Sequence, residues 1–261
     1  MRLNLLRLTT IGEQQIFPIG GIVYVGTQRK GNEMKIIECR KMDTGNYSNI
    51  TFIRIEPENL SVTIRDIIAS FSNMAWISQF DEEYQRNSFA RRAEATAKFL
   101  AEKLRTEEEN GVIKNTGEYV VSELARQALV EKLNYLDVPL AELFKEKVSG
   151  NPGFDFYSAN HDKIIIFGEA KYNSRQNAYG TGMEQVDRFI SEGQDISDLN
   201  DIDKFFETSS LNAASKGDKA YAIAFAAKAT KSDDLIDGII KNCHYGNLVI
   251  HKELVFLAVN I

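Results

Sequence analysis

From Ile164 the chain reads Ile164-Ile165-Ile166-Phe167-Gly168-Glu169-Ala170-Lys171, and few folds accommodate such a stretch. Four consecutive apolar residues have to leave water, and a run this short makes a buried strand. Side chains alternate along a strand, so Glu169 and Lys171 fall on one face with Ile165 and Phe167. The preceding Asp155-Phe156-Tyr157 reads as a short strand that folds back through the polar turn Ser158 to Lys163 and brings Asp155 to the same end. Two carboxylates and an ammonium then converge beside an apolar floor, where ionised groups are costly. A divalent cation offsets that cost, and hard oxygen ligands are what Mg²⁺ takes from proteins. Taken singly, an Asp at a strand start is a turn residue, and Glu-x-Lys at a strand end is a solvated pair of small value. The combination is what points to a site.

The flanks supply more elements. Thr116-Gly117-Glu118 opens a helix to about Asn134, with Val121, Ala125, Leu129 and Leu133 on one stripe. Glu118 heads that stripe, while Glu123 and Glu131 are expected on the solvated side; Glu118 reads equally as a site residue or as a first-turn acid favoured by the helix dipole. Met183 to Ile190 fits an amphipathic helix through Val186, Phe189 and Ile190. Ala220 to Ala227 is a buried strand, small on one side and large on the other, and Leu254 to Val259 is another. Ser232 to Cys243 reads as a helix with Ser232 as its N-cap. Helix, hairpin, strand, helix, strand, helix, strand describes a three-layer α/β core around a mixed sheet.

At Asp155 and Glu169-Ala170-Lys171 the chain resembles the PD-(D/E)xK nucleases, the restriction-endonuclease-like superfamily. The resemblance covers about residues 112 to 261 and departs from the pattern in placing Pro152-Gly153-Phe154, rather than Pro alone, before the Asp. It implies a restriction-endonuclease-like core at 111–261 and a Mg²⁺-dependent (or Mn²⁺-dependent) endodeoxyribonuclease. Asp155, Glu169 and the Ala170 carbonyl would hold the metal, with Glu118 as an accessory ligand, and Lys171 would orient or deprotonate the attacking water. Gln185, four residues before Phe189, is a weak echo of the Gln-and-aromatic motif of the RecB-like branch. Asn173 and Arg175, in the loop leaving the Glu-x-Lys strand, would lie on a DNA backbone; that loop also reads as an ordinary surface turn. The Gly117-Glu118 helix, Asp155 and the Phe167–Lys171 strand are also similar to the nuclease subunit of Hachiman-type anti-phage defence, which implies an effector paired with a helicase. A stand-alone type II restriction enzyme, a catalytically inactive scaffolding subunit and a small-ligand phosphohydrolase are the alternatives.

Residues 1–110 have a different texture. Gln15 to Val25, Met34 to Arg40 and Asn49 to Ile55 read as strands, and Ser61 to Asn73 and Asp81 to Glu109 as helices. This α+β region carries no evident chemistry; it could bind a partner, clamp nucleic acid or extend the sheet. The polar stretch Thr106 to Asn115 is the expected boundary.

The net charge of −6 opposes tight binding to phosphates, so a nuclease of this composition needs a local basic groove, a homodimer or a partner. Only Cys39 and Cys243 occur, which excludes a disulfide framework and suits a reducing cytoplasm. No stretch is long enough to span a bilayer, so no membrane association is expected.

Overall fold

The computed structural model describes residues 16–19, 22–25, 34–42, 44, 47–109, 116–145 and 153–261. The chain divides into two compact units, 1–32 and 33–261. In the first, strands β1 (Ile16–Ile19) and β2 (Ile22–Val25) form an antiparallel pair. The one strand expected over Gln15–Val25 is therefore two, with Gln15, Gly20 and Gly21 outside the described residues, as are Pro152 and residues 110–115 of the expected boundary.

The second unit is built on a six-stranded sheet ordered β3-β4-β8-β7-β6-β5. Its strands are β3 (Met34–Lys41), β4 (Ile50–Pro57), β5 (Phe156–Ala159), β6 (Ile165–Lys171), β7 (Lys219–Ala227) and β8 (Glu253–Asn260). The inner strands β4, β8, β7 and β6 run parallel, and β3 and β5 are antiparallel edges. Parallel strands covered on both faces are apolar throughout, which is why β7 and β8 read as unbroken apolar runs. Residues 34–57 thus take the sheet-extending role, one of three open for the region before residue 110.

The two faces of the sheet support separate cores. On β7, Ala220, Ala222, Ala224 and Ala226 face one core, and Tyr221, Ile223 and Phe225 the other. Helices α1 (Leu60–Phe71) and α3 (Gly117–Leu133) cover the alanine face, joined by Leu100 and Leu104 of α2 (Glu83–Glu109). The aromatic face lies under α5 (Tyr179–Glu192) and α9 (Ser232–Ile240), through Met183, Val186, Phe189, Leu235 and Ile239. The alternation of small and large residues expected for Ala220–Ala227 is therefore what separates the two layers.

Short helices α4 (Ala141–Phe144), α6 (Gln194–Ser197), α7 (Leu199–Ile202), α8 (Thr208–Ser215) and α10 (Tyr245–Leu248) complete the chain. Among the described residues no helix is long and apolar enough to cross a membrane.

Two local expectations are corrected. Glu123 is not solvated but 1% exposed. Helix α3 is buried continuously from Val120 to Leu129, because α1 covers the face that a half-buried helix would show to water. Glu123 survives there through Arg126, whose Nε and Nη2 each donate at 2.8 Å, and through Gln127, also at 2.8 Å. Ser232 is the first residue of α9 rather than its cap; its hydroxyl accepts from Arg54 at 3.2 Å.

Candidate metal and phosphate site

Because β6, β7, β8 and β4 are parallel, their carboxyl ends lie on one side of the sheet, the side where open α/β sheets bind ligands. Glu169 and Lys171 are at that end of β6. Asp155 reaches it from the hairpin: its N–H donates to the Gly168 carbonyl at 2.9 Å, and its own carbonyl accepts from Ala141 N–H at 3.0 Å. The hairpin turn is set by Asn160, whose side-chain oxygen accepts from the N–H groups of Asp162 and Ile164 at 3.1 and 3.0 Å, an Asx arrangement that favours tight reversal.

These placements join the expected residues. Asp155 Oδ2 accepts the Ala170 N–H at 2.8 Å. Lys171 Nζ lies 2.8 Å from Glu169 Oε1 and 3.4 Å from Glu118 Oε1. Glu169 is 1% exposed, and its second oxygen, Oε2, is buried without a hydrogen-bond partner. Glu118 bounds the solvent side, its side chain 52% exposed. Gly117 is what lets α3 come this near: a Cβ there would fall 2.2 Å from the Tyr172 ring.

The electrostatics are strained in one direction. Burial pushes the Asp155 carboxyl up to about 6, opposed by the Lys171 ammonium and the Ala170 N–H. Burial, and next the negative charge of Asp155, hold the Glu169 carboxyl well above the usual range. Burial pulls Lys171 down, but Glu169, Asp155 and Glu118 together outweigh it and keep the ammonium charged.

An unpartnered carboxylate oxygen beside a second, mutually repelling carboxylate is an arrangement that fits a small divalent cation. Asp155 and Glu169 would hold it, with the Ala170 carbonyl as the resemblance implies. Among the described residues no group of three or more His, Cys, Asp or Glu is placed to hold a metal ion; Mg²⁺ keeps several waters and is bound through one or two carboxylates.

The expected nucleic-acid contacts are more dispersed. Asn173 accepts from the N–H groups of Arg175 and Gln176 at 2.9 and 3.3 Å, so its carbonyl shapes the loop, while Arg175 is exposed. Gln185 is half-buried on α5 and makes no hydrogen bond to Asp155, Glu169 or Lys171. The loop is locked to the one after β7: Asn177 accepts from Lys228 N–H at 2.8 Å and donates to Thr230 Oγ1 at 3.0 Å. Beneath, the buried Arg54 guanidinium donates to the carbonyls of Thr230 and Lys228 at 2.7 and 3.2 Å. Lys228 Nζ sits 5.5 Å from the Tyr172 ring and donates to the Ile261 main-chain oxygen at 2.7 Å.

Sequence reading missed Tyr119, which follows Glu118. Burial raises its phenol, followed by the charges of Glu142, Asp155 and Glu118, so it stays protonated among the acids. It also missed Lys145 and Asp198, which meet behind Asp155 at 2.8 Å. No family model, curated protein or solved structure matches this chain.

Proposed function

We propose that this chain is a metal-dependent nuclease that hydrolyses DNA phosphodiester bonds at the carboxyl end of β6. The observation that carries the reading is the buried, unpartnered Oε2 of Glu169, in a carboxylate whose Oε1 pairs with Lys171 and which feels, after burial, the charge of Asp155. An unmatched buried acceptor costs about 1–3 kcal/mol, a cost that a bound cation would offset.

A divalent cation bound there would supply Lewis-acid polarisation of a phosphate oxygen and a water of lowered pKa. The chain's own residues do the rest. Glu169 and Glu118 aim the Lys171 ammonium from two sides. Three acids oppose loss of its proton, so Lys171 acts as a fixed donor to the water or to charge growing on the phosphate, rather than as the base. The exposed Arg175, in the loop leaving β6, would offset part of the chain's negative balance along a phosphate backbone.

The test is cleavage of supercoiled plasmid with Mg²⁺, beside Glu169→Gln and Lys171→Met. Both variants should lose roughly a hundredfold or more in rate, the scale of removing one preorganised charge-stabilising group, with unchanged circular dichroism. Full activity in either folded variant would refute this site.

A further inference from the structure

Asp198, at the junction of α6 and α7, is 2% exposed and takes no direct part in the cluster around Glu169. A carboxylate offers about four acceptor positions, and here all are filled. On Oδ1 are Lys145 Nζ at 2.8 Å and Gln194 Nε2 at 2.9 Å. On Oδ2 are the Phe154 N–H at 3.1 Å and the Tyr157 hydroxyl at 2.5 Å. The last two donors flank Asp155 in the chain, one residue before it and two after.

The sheet register shows what this clasp holds. Tyr157, Phe167 and Tyr221 stand directly opposite one another across β5, β6 and β7. Asp198 takes the phenol at one end of that row, and Asp195, one helical turn earlier, accepts the Tyr221 hydroxyl at the other end at 2.6 Å. Asp155 precedes Tyr157 by two residues and Glu169 follows Phe167 by two, so the two acids are the next row along the same face.

We infer that Asp198 is a positioning residue that fixes the separation of Asp155 from Glu169 and so sets the cation affinity of the pair. The inference rests on the metal-site reading above. Two like charges repel, and Asp155 stands just before an edge strand of only four residues, so a hold from behind adds to its own hydrogen bonds with Gly168, Ala141 and Ala170 in keeping the pair close. Stability alone is a poor reason for the clasp, because well-packed apolar groups often replace a buried ion pair without loss. Lys145 completes it, its ammonium 5.1 Å from the Tyr157 ring.

The experiment titrates the full-length protein with Mn²⁺ alone, following free ion by electron paramagnetic resonance, and monitors folding by near-ultraviolet circular dichroism. Glu169→Gln identifies binding at the site. Asp198→Asn, folded, should bind Mn²⁺ about 10–100-fold more weakly, the range for groups that orient metal ligands. Tyr157→Phe removes one hydroxyl while keeping the ring in the core; it should weaken binding in the same direction by less, and it decides the matter if Asp198→Asn does not fold. Wild-type affinity in a folded Asp198→Asn, or in Tyr157→Phe where that variant decides, overturns the positioning role while leaving the metal site standing. Wild-type Mn²⁺ binding that Glu169→Gln does not reduce overturns the metal-site reading, and this inference with it.

Discussion

Replacing Asp155 by Asn should make the metal-free protein more stable at neutral pH. The carboxyl titrates near 3.8 in ordinary surroundings and near 6 in the folded chain, where burial is the main cause. Between those values the folded state holds the proton that the unfolded state has released, so stability falls as pH rises. The penalty is absent below 3.8 and complete above 6. A shift of that size corresponds to about 3 kcal/mol at 1.36 kcal/mol per pH unit. Asn keeps an oxygen for the Ala170 N–H and removes the charge that repels Glu169. At pH 8 in EDTA the variant should therefore melt roughly 6–12 °C above wild type, at 2–4 °C per kcal/mol for a domain of this size. The gap should shrink as pH falls from 6 towards 4. Saturating Mg²⁺ should raise wild type alone, by about 2.7 kcal/mol at a hundred times the dissociation constant. Calorimetry of both proteins across pH 4–8, with and without Mg²⁺, tests each step. A variant less stable than wild type at pH 8, with the deficit shrinking towards pH 4, would refute the argument, since Asp155 would then be a net stabilising charge.

Further outcomes concern the scaffold. Glu123→Ala takes from the buried Arg126 the acid it meets at 2.8 Å through two nitrogens and leaves it only Asp137; it should cost about 1–3 kcal/mol in urea unfolding, and a loss under 1 kcal/mol would mean that water reaches that face of α3. Gly117→Ala forces a methyl to within 2.2 Å of the Tyr172 ring and should cost about 1–3 kcal/mol. The same substitution should slow plasmid cleavage, because the ring and Glu118 move together; unchanged stability and rate would show that α3 shifts freely.

The local parts of this structure were legible, and the parts assembled from a distance were not. The run Ile164–Phe167 followed by Glu169 and Lys171 indicated both the strand and its charged face, because period-2 alternation is intrinsic to extended backbone. The hairpin brought Asp155 to the expected end. Glu123 defeated the reading because its stripe follows from the sheet alone; a helix covered also by α1 has no solvated side. Asp198 left no local signal. It sits in a polar helical stretch 43 positions after Asp155, and only folding shows that its acceptors meet Phe154 and Tyr157. Arg54 is similar: it looks like a charge in an edge-region strand, but it underpins the loop after β7.

Strand β5 is bordered by sheet on one side and on the other by residues 136–141, whose Leu136 and Ala141 N–H groups donate to the carbonyls of Ala159 and Asp155, both at 3.0 Å. A capped edge of this kind gives no template for another chain's strand, yet it lacks the continuous ladder that secures β7 and β8. Asp155 is thus carried beside an edge held by separate hydrogen bonds and by the Asp198 clasp rather than by a ladder on both sides. If the proposed cation binds, its removal would be felt there first, as breathing of one margin of the sheet while its centre stays intact.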